Sequence, residues 1–371
     1  MILAPRFRRR PFGWRHHYPV QGIAPNLHLD RGPGIRRTLE MLDPIPLTVA
    51  RLQGHFTVEL IDAATGLVRR RLEFPNLVTN AALDAIGNGA GLAINNMASF
   101  LAVGTGSVAP AFTDTALAAQ TGVRTSADGG QADTNGFTAG PPEFYWRRRT
   151  REFTEAESNG NLTECGLFSA LTGGTMFCRQ LFRDAGGTPT TVVKTSSDRL
   201  RVTYELRSYP DTTDGSLART ISGSAYTVTV RPVNQQNVGT AAVWSFGGAG
   251  TFPWEFAAST LTARAASAAA ETNTLRARNI ATGRGDFGTT AQPNGANAIA
   301  AYTAGTRYRD FTQIWEPAVA NYALGIGTIG GMELGGLSSP SHQLVWSPRL
   351  PKTSVRRLTL VLRFAWDRFT I

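Results

Sequence analysis

Lysine is almost missing from this chain. Of 37 basic residues, 35 are arginine, and the two lysines are Lys194 and Lys352. Cysteine is as scarce, with only Cys165 and Cys178. No histidine lies near either, so the pair does not make a zinc site. The two cysteines flank Leu171-Thr172-Gly173-Gly174, which reads as a hairpin turn. They are expected to face each other across it, as free thiols in a reducing compartment rather than as a disulfide. Charged residues make up only 17%, while glycine reaches 39. With few helix formers among them, that balance favours strands and loops. No apolar run approaches the roughly 20 residues of a membrane helix. Met1–Ala4 is too short for a signal peptide and is followed by arginines, so synthesis and retention in a cytoplasm are expected.

Catalytic signatures are missing as well. Neither lysine follows a glycine, which removes the phosphate-binding loop. There is no Gly-x-Ser-x-Gly and no His-Glu-x-x-His. Val103-Gly104-Thr105-Gly106 lacks the third glycine and helix start of a dinucleotide site and reads as a turn. His16, His17, His28, His55 and His342 are scattered. No cofactor and no metal are expected. The best enzymatic candidates are Glu152, Glu155, Glu157 and Glu164, since glycan cleavage needs two carboxylates roughly 5 to 10 Å apart. Amid Arg147–Arg151, cross-strand ion pairing is the simpler account, and the chain is read as not an enzyme.

What is present is repetition. Lys194-Thr195-Ser196-Ser197-Asp198-Arg199-Leu200 returns 158 positions later, from 194 to 352, as Lys352-Thr353-Ser354-Val355-Arg356-Arg357-Leu358. Leu200, Val202, Tyr204 and Leu206 then alternate with polar residues, as do Leu358, Leu360, Leu362 and Phe364. Period-two alternation marks half-buried strands, here in the same phase. Arg151-Glu152-Phe153-Thr154 returns as Arg309-Asp310-Phe311-Thr312, and Gly173-Gly174 as Gly330-Gly331. The expected fold is mainly β: two tandem β-sandwich, jelly-roll-like domains from an internal duplication, residues 45–212 and 213–371.

Within them, strands are expected near His55–Ile61, Val68–Phe74, Ser99–Val103, Phe144–Phe153, Leu162–Ala170, Met176–Phe182, Ala225–Val230, Tyr308–Trp315, Tyr322–Gly327, Gln343–Trp346 and Leu358–Trp366. Asn80 is placed as the cap of a short helix, and residues 121–142 as a long exposed loop. Residues 256–271 fit a helix or a strand equally.

Residues 1–44 read as an extended arm. Arg6, Arg8, Arg9, Arg10 and Arg15 interleave with Phe7, Phe12, Trp14 and Tyr18, and five prolines interrupt regular structure. Docking on a protein partner is the expectation, with aromatics as anchors and arginines as rim. Nucleic acid is the less favoured partner. The net charge of +10 is otherwise read as solvated strand faces.

Several ordered segments carry a wider pattern: Asn76-Leu77-Val78-Thr79-Asn80; Val103 to Pro110; Asp114-Thr115-Ala116-Leu117; Asn161 to Phe168; Val202 to Pro210; and Trp346-Ser347-Pro348 through Arg368. Together they resemble a family of tailed-bacteriophage virion proteins, usually described as tail or tail-fibre proteins. The resemblance covers most of 76–210 and about the last 30 residues, and not the arm. It implies a virion component, tail-associated or alternatively in the head or collar. Its partners would be other virion proteins and further copies of itself, with a host-surface glycan as a further partner and no catalytic residues carried over.

Overall fold

A computed structural model describes residues 37–88, 98–138, 142, 144–209, 213–232, 262–266, 290–291, 295, 298–333 and 342–369. The arm residues Arg6 to Tyr18 lie outside these. In the first half the strands are β1 (Arg37–Asp62), β2 (Val68–Val78), β3 (Phe100–Gly104), β4 (Gln120–Thr125), β5 (Thr134–Thr138), β6 (Phe144–Phe153), β7 (Gly160–Leu162), β8 (Glu164–Phe168), β9 (Met176–Leu181), β10 (Val192–Lys194) and β11 (Asp198–Tyr209). The second half holds β12 (Gly215–Ile221), β13 (Ser224–Pro232), β14 (Thr262–Ala266), β15 (Thr290–Ala291), β16 (Ala298–Ile299), β17 (Tyr308–Trp315), β18 (Ile326–Glu333), β19 (His342–Leu350) and β20 (Arg356–Arg368). One described helix, α1, spans Asn80–Asn88. The chain is mainly β, as composition and alternation require.

Several element boundaries change. β1 begins at Arg37, so residues 37–44 are strand rather than arm. β4 and β5 fall inside the expected loop 121–142. Both are edge strands of mostly exposed residues, and without a buried face they leave no alternation to read. The helix is capped by Thr79, whose Oγ1 accepts from the Ala82 amide at 3.1 Å. Asn80 instead accepts from Arg307 and Arg368 of the second half.

The two halves follow one order of pairing. β13 pairs β19 as β2 pairs β9. β14 joins β18 and β15 as β3 joins β8 and β4. β17 lies between β16 and β20 as β6 lies between β5 and β11. Register refines the match. Phe153 faces Leu200, and Trp315, not Phe311, faces Leu358. The shift is therefore 158 on β20 but 162 on β17, and Arg309-Asp310-Phe311-Thr312 is not the structural counterpart of Arg151–Thr154. Gly173 and Gly174 form a positive-φ turn, while Gly330 and Gly331 lie within β18.

The place beside β20 is where the halves differ. In the first half, the end of β1 runs antiparallel to β11, with Phe56 opposite Tyr204. In the second, the start of β1 runs parallel to β20, from Arg37 opposite Arg356 to Leu52 opposite Arg368. Leu39, Met41, Ile45, Leu47, Ala50 and Leu52 are buried by this pairing and the packing around it. Each large side chain among them contributes roughly 1.5–3 kcal/mol. One hydrophobic cluster runs from Phe56 and Phe177 to Leu360 and Trp366, and Arg36–Ile371 forms one compact unit.

Helix α1 completes the seam. At nine residues it is too short to persist alone. The Trp366 indole donates to the Leu83 carbonyl at 2.8 Å, Tyr302 and the Gly305 amide donate to Asp84, and Arg309 donates to the Gly87 carbonyl.

Candidate functional site

Strand alternation gives β6, β11, β1 and β2 an inner and an outer face. The outer face is ordered in rows by register. Arg148, Glu205, His55 and Pro75 form one row. Thr150, Thr203, Thr57 and Glu73 form the next, followed by Glu152, Arg201, Glu59 and Arg71. A cleft of about 390 Å³ opens over these rows, lined by His55, Thr57, Glu73, Arg148, Glu205 and Arg207 among others.

Glu205 is buried and organises the cleft. Its two oxygens accept from Nε of Arg148 and Nε of Arg207, each at 2.6 Å. The Arg148 guanidinium lies 4.2 Å over Trp146, and that of Arg207 lies 4.7 Å over Phe144. On the far wall, Arg71 donates to Glu73 at 2.8 Å and to Glu59 at 3.4 Å. Burial, reinforced by Arg207, lowers the His55 pKa below its ordinary 6.5, so the ring is neutral at pH 7. Among the described residues, His55 has no hydrogen-bond partner.

The four candidate carboxylates take separate roles. Glu152 pairs with Arg199 at 3.2 Å and Arg201 at 2.8 Å, on the outer face. Glu155 reaches only the edge of that group, 4.0 Å from Arg199. Glu157 accepts from the Thr154 amide and hydroxyl in a turn. Glu164 is fully buried and accepts from the amides of Gly106, Ala118 and Ala119 and from Arg179 at 2.8 Å. Arg179 continues to Asp114 at 2.6 Å and to the Val108 carbonyl. Gly106 is required there, because a Cβ would run into Glu164 and Ala118.

The arginine-rich strand divides. Arg148 pairs outward with Glu205, but Arg147, Arg149 and Arg151 face inward, opposite Leu206, Tyr204 and Val202. Arg147 and Arg149 meet Asp133, and Arg151 donates to the Ser99 carbonyl at 2.6 Å. Burial pushes Arg151 down to about 10. These charges are therefore not all a solvated face. Cys165 and Cys178 are free and buried but not opposite one another, since Cys165 pairs with Gln180 and Cys178 with Leu167. Burial raises both thiols, which keeps them protonated.

The cleft was not legible from sequence. Alternation puts His55, Thr57 and Glu59 on one face of β1, but only the non-local register brings Glu205 and Arg148 beside them. Among the described residues, no three His, Cys, Asp or Glu side chains are grouped to hold a metal, and no helix is long and apolar enough to cross a membrane. No family model, curated protein or solved structure matches the chain.

Proposed function

We propose that this chain is a structural component of a tailed-phage virion. In this reading it is tail-associated, in a fibre, baseplate or tail tip. Its arm docks on neighbouring virion proteins, several copies assemble around the particle, and the β unit serves host-surface attachment. It is made in the host cytoplasm and acts without catalysis or cofactor.

One observation carries the reading. Three of the segments that resemble phage tail proteins, Val103–Pro110, Asp114–Leu117 and Asn161–Phe168, are separate in sequence yet meet in one polar network. Thr163 donates to the Gly106 carbonyl at 2.7 Å. Glu164 and Arg179 tie Gly106, Val108, Asp114, Ala118 and Ala119 together. A network whose groups are spent on fixing loops supports a scaffold role for the shared pattern. The common pairing order of the halves supports a copied unit.

The test is assembly. Deleting residues 1–35 leaves the compact unit and is expected to abolish incorporation into particles. Normal incorporation would remove the docking role, and immunogold label on the head or neck would remove the tail assignment.

A further inference from the structure

We propose that the cleft around Glu205 and His55 binds a neutral oligosaccharide. This extends the attachment role above.

Charge excludes the obvious alternatives. Arg71, Arg148 and Arg207 are balanced in the lining by Glu59, Glu73 and Glu205, in a chain whose net charge is +10. A phosphate or nucleic-acid backbone would meet three carboxylates for every three guanidinium groups. Sugar hydroxyls each donate and accept, and so need both kinds of partner side by side. The cleft supplies them: carboxylate oxygens, guanidinium N–H groups, the hydroxyls of Thr57 and Thr203, and a neutral imidazole that offers one donor and one acceptor. Arg148 and Arg207 of the lining are each held by stacking on an aromatic ring, Trp146 and Phe144, which fixes where their N–H groups point. Its volume of about 390 Å³ is within the range of small-ligand sites.

The second half separates scaffold from site. Tyr308 stands where Trp146 stands, and Arg363 lies 3.7 Å over it. Asp310 and Arg363 pair at 2.7 Å across the same register as Arg148 and Glu205, with the signs exchanged. An aromatic ring, an arginine and a carboxylate are thus what both halves use to join these strands. Two groups belong to the first half alone. Ala365 occupies the position of Arg207, and Pro46 of β1 faces Arg363 where His55 faces Glu205. Strand pairing does not call for His55 or Arg207, and both line the cleft.

The purified full chain is applied to an array of neutral and acidic oligosaccharides, with inorganic phosphate and a heparin tetrasaccharide as competitors. Signal is expected on neutral structures and is not displaced by either competitor. In titrations of a hit, His55→Ala and Thr57→Val are each expected to weaken binding about tenfold with the parent melting temperature kept, while Arg363→Ala, which loosens a strand contact of the other half, leaves binding unchanged. No neutral signal, displacement by phosphate or heparin, or equal loss in Arg363→Ala would overturn the assignment. Because no particle is involved, a failure here leaves the tail assignment standing, and label on the head would leave this one standing.

Discussion

Lys194 and Lys352 bracket equivalent loops in the two halves, each holding two loop carbonyls and an asparagine side chain. Lys194 Nζ donates to the Thr154 carbonyl and to Asn159 Oδ1, each at 2.8 Å, and at 3.4 Å to the Glu155 carbonyl. Lys352 Nζ donates to the carbonyls of Glu316 and Val319 and to Asn321 Oδ1 at 2.9, 2.8 and 3.1 Å. Each lysine is 1% exposed and opens the turn that leads into β11 or β20. The ammonium closes the loop that follows β6 or β17 onto that turn, which gives a physical reason for lysine at these two places in an arginine-rich chain: three donors on one compact atom fit a pocket of oxygens that a planar guanidinium would not.

Replacing either lysine by methionine leaves buried oxygens without a donor. A loss of about 3 kcal/mol is expected for each, read from urea unfolding. Arginine at the same position is expected not to restore stability. A loss below roughly 0.5 kcal/mol in both variants would show that the bracket contributes nothing.

Glu164→Gln should be more damaging than any surface carboxylate change. It leaves Arg179, 2% exposed, facing a neutral amide. The expected cost is about 3–5 kcal/mol, visible as a large fall in melting temperature. Glu73→Gln, on an exposed pair with Arg71, is the comparison and should change stability by under about 1 kcal/mol.

Acid should act through His342. Burial pushes its pKa from 6.5 to about 3. The unfolded chain therefore binds a proton that the folded chain refuses, and stability falls as pH drops from about 6.5 toward 3. His342→Leu keeps an apolar side chain against Phe364, 5.4 Å away, and should flatten this part of the melting-temperature profile. An unchanged slope would count against the assignment.

The seam depends on Gly87. A Cβ there would run into the Tyr302 ring, so Gly87→Ala should cost about 1–3 kcal/mol despite its better helix propensity. Trp366→Phe, which removes the donor to Leu83, should weaken the same contact. Amide exchange in α1 should speed up in both variants.

Much of the strand content was readable because β11, β17 and β20 keep one face buried, and alternation reports that directly. Tyr308–Trp315 was located to the residue. The repeat was visible through the lysines, whose neighbours are alike. Its partner strand was misaligned by four residues, because Phe153 and Trp315, or Asn159 and Asn321, share an environment without sharing flanking residues. The inward arginines of β6 escaped for a similar reason: an arginine run looks like solvent-facing charge unless its opposite strand is known. The cleft depends on two strand pairings across long separations, β6 with β11 and β11 with β1, and pattern alone cannot supply those.

Strand β1 also sets how the molecule would bear load. A pull entering at Arg37 is directed along the strand, so it strains the ladder to β20 in shear, with the bonds from Arg37 to Leu52 resisting together rather than opening one by one. Because the same strand continues beside β11 and β2, tension reaching Asp62 has already been shared by both halves. Loaded at Arg37, this fold would yield as a single mechanical element.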